Sequence, residues 1–199
     1  MVTSNPWVTR ESAAAEPVHP TTIEHIHVAQ NVTVRPQPGA VAAPQQGLPV
    51  RTAAGARWWW LGCHGGAGVT SLTGAVPGGT DAGRYWPVPA SGPVQRVVLV
   101  ARTHASGLEA AQLAARQWAS GVLPGVDLLG LVVVADAPGR LPGPLRDLLR
   151  LVEGGVPRTW AVPWEDSWRL AAPSAESVSR PVGRMARDLL SLTDPGVSR

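Results

Sequence analysis

The chain has 199 residues, a formal net charge of +3 at pH 7, 44% hydrophobic residues and 16% charged residues, which fits one modest globular domain. All 17 basic residues are arginine, so any chemistry that needs a lysine ammonium group is excluded. The single cysteine excludes an internal disulfide and a zinc site built on several cysteines. The arginines are scattered along the chain, which argues against a nucleic-acid-binding surface.

The sequence contains no signal that directs it to a membrane. No apolar run approaches the roughly 20 residues that span a bilayer. The first residues, MVTSNP, lack the charged and then apolar order of a signal peptide. The sequence therefore predicts a soluble, cytoplasmic protein.

Residues 1–55 have the composition of a disordered, proline-rich tail. They contain seven prolines and one leucine, too few large apolar groups to offset the entropy cost of ordering. Trp7 is a large aromatic residue in this setting and is the candidate docking residue for a protein partner. Ile23–Val34 is rich in β-branched residues, which fits either residual extended structure or a peptide that adds a strand to a partner's sheet. His25 and His27 are either solvated or a metal pair that lacks a third ligand nearby.

Residues 56–199 have the pattern of a folded domain in which apolar strands alternate with amphipathic helices. Ser106 and Glu109 have the spacing of a capping box, and Tyr85 marks at most a short strand within the loop-like stretch 78–95. Fully apolar strands joined by helices favour a three-layer α/β domain with a mostly parallel sheet. The carboxyl ends of its strands would meet at the edge where such sheets bind ligands. The predicted elements are, in order, a strand at 58–61, a helix at 70–76, a strand at 96–102, a helix at 106–120, a strand at 128–135, a helix at 145–152, a strand at 159–162 and a helix from 181.

The glycine-rich segment 62–71, GCHGGAGVTS, is the most informative motif. It follows a predicted strand and precedes a predicted helix, the context that a phosphate-binding loop requires. Glycines at such a turn let consecutive backbone N–H groups converge on an anion, and the start of the following helix adds partial positive charge. Thr70 stands where the hydroxyl of a phosphate-binding loop binds magnesium.

Residues 64–70, HGGAGVT, resemble the deviant Walker A motif of the MinD/ParA/CpaE group of ATPases, whose pattern is lysine-glycine-glycine-any-glycine-lysine-threonine. Four positions match, namely Gly65, Gly66, Gly68 and Thr70. The weaker resemblance of residues 57–192 places Asp136 where the family has a base-contacting asparagine. The resemblance implies a P-loop NTPase-like fold and Mg-ATP as the cofactor, with Thr70 as the magnesium ligand. The candidate phosphate- and nucleotide-binding residues are then His64, Gly65, Gly66, Ala67, Gly68, Val69, Thr70, Ser71 and Asp136.

Three positions of the motif depart from the family pattern. His64 stands at the signature lysine, Val69 at the phosphate-binding lysine and Cys63 at the preceding glycine. A lost transition-state donor costs a factor of about a hundred to a thousand in rate, so we expect no hydrolysis at a useful rate. An arginine such as Arg84 or Arg102 could take the place of the lysine, but the sequence alone does not select one.

The carboxylates of the family's Walker B and switch motifs also have no evident counterpart. Between Thr70 and Arg96 no apolar strand ends in aspartate. Two interpretations of the loop therefore stay open. One is a backbone cradle that binds a phosphate or nucleotide weakly, with His64 adding charge at lower pH. The other is a vestige whose glycines preserve only the strand–turn–helix geometry.

These features favour a pseudo-ATPase that acts as an adaptor or regulatory subunit of a bacterial assembly. A closer resemblance, to lysine-less P-loop proteins from GC-rich bacteria, implies a role in conjugation or secretion. The alternatives are a weak nucleotide-binding switch or ATPase, and a small-molecule enzyme that uses the loop beside His104 and Asp136. Capping a helix or bonding loop backbone is the simpler role for those two residues. A reactive Cys63 thiolate beside His64 is a further, less favoured possibility.

Overall fold

The computed structural model describes residues 35–36 and 38–194. The predicted tail up to residue 34, with Trp7, His25 and His27, lies outside the described residues. The elements are β1 Val50–Thr52, β2 Trp58–Gly62, α1 Val69–Ala75, β3 Gly79–Asp81, β4 Trp86–Val88, β5 Gln95–Arg102, α2 Ala105–Ala119, β6 Val126–Val134, α3 Gly143–Glu153, β7 Thr159–Val162, α4 Ser167–Leu170, a 3-10 turn Ala175–Ser177 and α5 Arg180–Thr193.

Five strands form the main sheet, in the order β3-β2-β5-β6-β7. Every neighbouring pair is parallel, because each strand returns to the same end of the sheet through a crossover on one of its faces. The predicted α/β class with a mostly parallel sheet is confirmed. The carboxyl ends of β2, β5 and β6 share one edge, where Gly62, Arg102 and Val134 end their strands.

Apolar residues on both faces of the sheet explain its two helical layers. One core contains Leu99, Leu131 and residues of α2, together with the partly buried leucines of α3. The other contains Val98, Val132 and residues of α1 and α5. The alternation of side chains along a strand assigns neighbouring residues to opposite faces. Burial on both faces is therefore why these strands are apolar throughout.

The three consecutive tryptophans of β2 follow the same alternation. Trp58 and Trp60 are fully buried in the core beside α1. Trp59 packs against the opposite core, where its Nε1 donates a hydrogen bond of 2.9 Å to Oε1 of Gln95. The prediction that this run places rings on both faces of its strand is confirmed.

A second, two-stranded sheet corrects the predicted extent of the tail. β1 pairs in parallel with β4, although the sequence assigns residues 50–52 to disorder. Gln117 of α2 attaches this segment to the domain: its Oε1 accepts the N–H of Leu48 at 2.8 Å and its Nε2 donates to the carbonyl of Leu48 at 2.9 Å. The segment is ordered by this distant polar contact and by β4, neither of which its own composition reveals.

The start of α2 differs from its predicted capping box. His104 is the N-cap residue, and its Nδ1 accepts the backbone N–H of Gly107 at 3.0 Å. Ser106 lies within the first turn of the helix instead. The simpler interpretation, that His104 caps a helix, is therefore confirmed. None of the helices in the described part of the chain is long and apolar enough to cross a membrane.

Candidate functional site

In the glycine-rich turn between β2 and α1, two of the glycines have a backbone conformation that other residues rarely adopt. Gly66 and Gly68 have φ values of 75° and 105°, in the left-handed region that favours glycine. A Cβ atom added at Gly65 or Gly66 would meet nothing within 4 Å. The outer side of the turn therefore faces open space, which leaves its backbone accessible to a ligand.

This turn borders a cavity of about 390 Å³ at the carboxyl edge of the sheet. The structure brings eight of the nine predicted binding residues, positions 64–71, to this cavity, while Asp136 lies beside it. Two arginines and one aspartate that are distant in sequence complete the charged rim. The cavity is lined by Gly62, His64, Gly65, Gly66, Ala67, Gly68, Val69, Thr70, Ser71, Asp81, Gly83, Arg84 and Arg102.

Val69, which the resemblance aligns with a phosphate-binding lysine, is a core residue. It is 9% exposed and belongs to the apolar cluster that covers one face of the sheet. Its Cγ2 lies 3.2 Å from where a Cβ atom on Gly62 would be, so the side chain fills space against β2. Thr70, the next residue, is exposed and borders the cavity. The turn thus presents a hydroxyl but no cation of its own.

His64 links the turn to the neighbouring strand β5. Its Nε2 lies 3.0 Å from the backbone N of Arg102 and accepts that N–H, while its Nδ1 lies 2.8 Å from the carbonyl oxygen of Gly65. These partners require a neutral ring with the proton on Nδ1. Burial lowers the pKa of His64, the hydrogen bond to Gly65 opposes this shift, and the positive charges of Arg102 and Arg84 act in the same direction as burial. The expectation that His64 adds charge at lower pH is therefore disfavoured, because the protonated ring loses its bond to Arg102.

The two other polar residues predicted at this edge have local partners. The ring of His104 lies 4.8 Å from that of His64 between centroids and caps α2 through Nδ1. The backbone N–H of Asp136 donates to the hydroxyl of Thr103 at 3.0 Å, and its carboxylate lies 3.7 Å from Nη1 of Arg102. Asp136 therefore lies next to the cavity as the ion-pair partner of Arg102.

Asp81 is a cavity carboxylate that the sequence analysis missed. It ends β3, which pairs in parallel with β2, and one of its oxygens accepts the backbone N–H of Gly83. The expectation concerned apolar strands that end in aspartate, and it missed β3, a short polar strand that ends in one. The strand is Gly-Thr-Asp and carries no apolar run. Its first residue must be glycine, since both indole Nε1 atoms of Trp58 and Trp60 occupy the space of a Cβ there.

Cys63 has none of the properties of a nucleophile. Its side chain is 2% exposed. Burial raises the pKa of its thiol to about 12, against smaller opposing effects of a backbone hydrogen bond to Val100 and the charge of Arg84. A thiol is reactive as its thiolate, so the possibility of a Cys63 nucleophile is not supported.

A larger cavity of about 970 Å³ lies at the opposite edge of the sheet, beside the amino ends of β5 and β6. Two of the cations at its rim already have partners: Arg57 pairs with Asp194, and Arg96 donates to the carbonyl of Thr193 at 3.0 Å. Burial raises the pKa of Asp127 there, opposed by the charges of Arg96 and Arg35. The smaller cavity is the better candidate site, because the predicted glycine-rich turn lines it.

One family model matches most of the folded part. It bears the description "Family of unknown function (DUF6668)" and matches residues 56–185, which are 130 of the chain's 199 residues. The chain belongs to this family. The DUF6668 match includes the turn, Asp81, Arg84 and Arg102, and it begins after β1. No curated protein and no solved structure matches the chain.

Proposed function

We propose that this DUF6668 protein binds the phosphate groups of a nucleotide in the turn cavity without hydrolysing them at a useful rate. The observation that carries the proposal is the open backbone of the turn around Gly65 and Gly66, with Arg84 and Arg102 at the same cavity. Exposed backbone N–H groups and guanidinium groups are the donors that phosphate oxygens prefer. Binding requires only these donors, which the chain has kept.

Hydrolysis requires more than binding. Phosphoryl transfer in P-loop enzymes depends on cations placed against the transferred group and on a positioned nucleophile. Val69 replaces the lysine with a buried apolar side chain, and the sequence has no other lysine. Removing one such donor costs a factor of about a hundred to a thousand. The site therefore fits a pseudo-ATPase rather than an ATPase.

Magnesium fits the oxygen donors at this cavity. The Thr70 hydroxyl and the Asp81 carboxylate both border it, and Mg²⁺ prefers oxygen ligands of these kinds together with phosphate oxygens. A bound Mg²⁺ would neutralise part of the phosphate charge. Thr70 and Asp81 would hold it.

Titration calorimetry with ATP, ADP or GTP in the presence of magnesium tests the binding. The sharpest variant is Gly66→Asp, because the left-handed region tolerates aspartate and open space surrounds this position. Gly66→Asn is the matched control, with the same shape and no charge. We expect micromolar affinity for the native chain, near-native affinity for Gly66→Asn and loss of binding for Gly66→Asp. Millimolar or undetectable affinity of the native chain would show that the turn is a vestige.

We further propose that the protein acts as an adaptor or regulatory subunit of a bacterial assembly, of the conjugation or secretion type. The support is the proline-rich composition of the N-terminal region and the single aromatic residue Trp7. Full-length protein carrying Trp7→Ala is expected to lose a partner that co-purifies with the native chain. Gly66→Asp is expected to keep that partner, and a partner lost from both variants would favour a nucleotide-dependent switch.

A further inference from the structure

Arg102 spans the space between the turn and the neighbouring strand end. It is the last residue of β5, and its side chain is 32% exposed. Its Nε donates a hydrogen bond of 2.9 Å to the carbonyl oxygen of Gly66, inside the turn itself. The residue borders the turn cavity and also a smaller cavity of about 120 Å³ beside β6 and β7.

The position of Arg102 is fixed from both ends. Its backbone N–H is held by Nε2 of His64, and its Nη1 lies 3.7 Å from an oxygen of Asp136. A guanidinium has five N–H donors, and the bond to Gly66 uses one of them. The remaining donors leave room for an additional anion, with Asp136 as a competing acceptor.

Arg84 borders the same cavity but is held less firmly. It lies in the exposed loop after β3 and forms no hydrogen bond or ion pair with any residue of 35–36 and 38–194. An anchored arginine loses less conformational freedom when it binds an anion than an unanchored one. Binding an anion therefore costs Arg102 less conformational entropy than it costs Arg84.

We propose that Arg102 is the cation that contacts the bound phosphate in place of the missing lysine, and that Asp136 competes with the phosphate for it. This inference rests on the proposed function, because it concerns the same cavity. His64, at the position of the signature lysine, is a positioning residue: it fixes the backbone of Arg102 and does not touch the ligand. The charge of the motif is thus supplied from β5 and not from the turn.

Titration calorimetry of the full-length chain with Mg-ATP, and with inorganic pyrophosphate, tests the assignment. A charge-assisted hydrogen bond contributes about 1.5–3 kcal/mol, so Arg102→Ala is expected to weaken binding about 10- to 100-fold. Arg102→Lys is expected to recover part of this loss. Arg116→Ala is the matched control, since Arg116 is exposed in the last turn of α2 and removing it deletes the same charge away from the cavity.

Asp136→Asn gives a result that misfolding cannot mimic, because it strengthens binding. An exposed ion pair contributes up to about 1 kcal/mol, so the gain is expected to reach about fivefold. Native-like affinity in Arg102→Ala, a larger loss in Arg84→Ala than in Arg102→Ala, or weaker binding in Asp136→Asn would each overturn the assignment. If the native chain binds neither ligand, the proposed function fails and this inference fails with it. Native binding with an unaffected Arg102→Ala refutes this inference alone.

Discussion

Gly79→Ala is the substitution whose cost the structure defines most sharply. A Cβ atom at Gly79 would collide with Nε1 of both Trp58 and Trp60, and Cδ1 of Trp60 would lie 2.7 Å away. Both rings are fully buried and pack edge to face at 5.8 Å between centroids, so neither can swing into solvent. Overpacking of this kind costs about 2–3 kcal/mol. At about 2–4 °C per kcal/mol for a chain of this size, the melting temperature is expected to fall by about 4–12 °C.

Gly65→Ala is the control for this measurement. An added Cβ there meets nothing within 4 Å, so its stability is expected to stay within about 0.5 kcal/mol of the native value. Circular dichroism melts of both variants, with the native chain alongside, provide the comparison. A Gly79→Ala protein that melts within about 1 °C of Gly65→Ala would refute the reasoning. Because Gly79 begins the strand that ends at Asp81, the same variant is expected to weaken magnesium-dependent nucleotide binding.

Three other outcomes follow from buried or paired groups. Because the pKa of His64 is lowered in the folded protein, the neutral ring stabilises the fold fully above the ordinary histidine pKa. This stabilisation is lost as the pH falls below that pKa. Urea unfolding should therefore show that the native chain loses more stability than His64→Gln between about pH 7 and pH 5. The thiol pKa of Cys63 is raised to about 12, so Cys63 should resist iodoacetamide at pH 7 in the native protein and react after denaturation. Rapid labelling of the native protein would contradict the burial of this thiol. Gln117→Leu should lower the free energy of unfolding by about 2–3 kcal/mol in the same urea assay, because it leaves polar groups of Leu48 and Trp86 without their partner. A loss below about 0.5 kcal/mol would show that this contact is unimportant.

The main sheet was predictable because its strands carry strong local signals. β7 spans the predicted residues 159–162, and β5 and β6 differ from their predicted ends by one or two residues. A strand that is buried on both faces is apolar in every position, so its pattern survives without knowledge of its neighbours.

β3 and β1 escaped prediction because their order comes from elsewhere in the fold. β3 is Gly-Thr-Asp, and its glycine is required because two tryptophans on the adjacent strand fill the space beside it. β1 depends on β4 and on the amide of Gln117. Neither contact leaves a trace in the local sequence, which is why Asp81 was missed as a cavity residue.

The glycine turn was predictable as a motif, but the partners of its side chains were not. Spacing alone identified the residues of the turn, but it could not select which arginine replaces the lysine. The neutral tautomer of His64 and the anchoring of Arg102 depend on the register of β2 against β5. Asp136 likewise acquires its partner only because β5 and β6 are neighbours.

The identity of the nucleotide that stays on the protein tests the central claim most directly. The full-length chain is incubated with radiolabelled Mg-ATP, separated rapidly from free ligand, and the retained label is analysed by chromatography. Retention of intact ATP, with no phosphate released above the buffer control, is the result expected for a site that binds without hydrolysis. Retained ADP with phosphate release that Thr70→Ala abolishes, or no retained nucleotide at all, would contradict it.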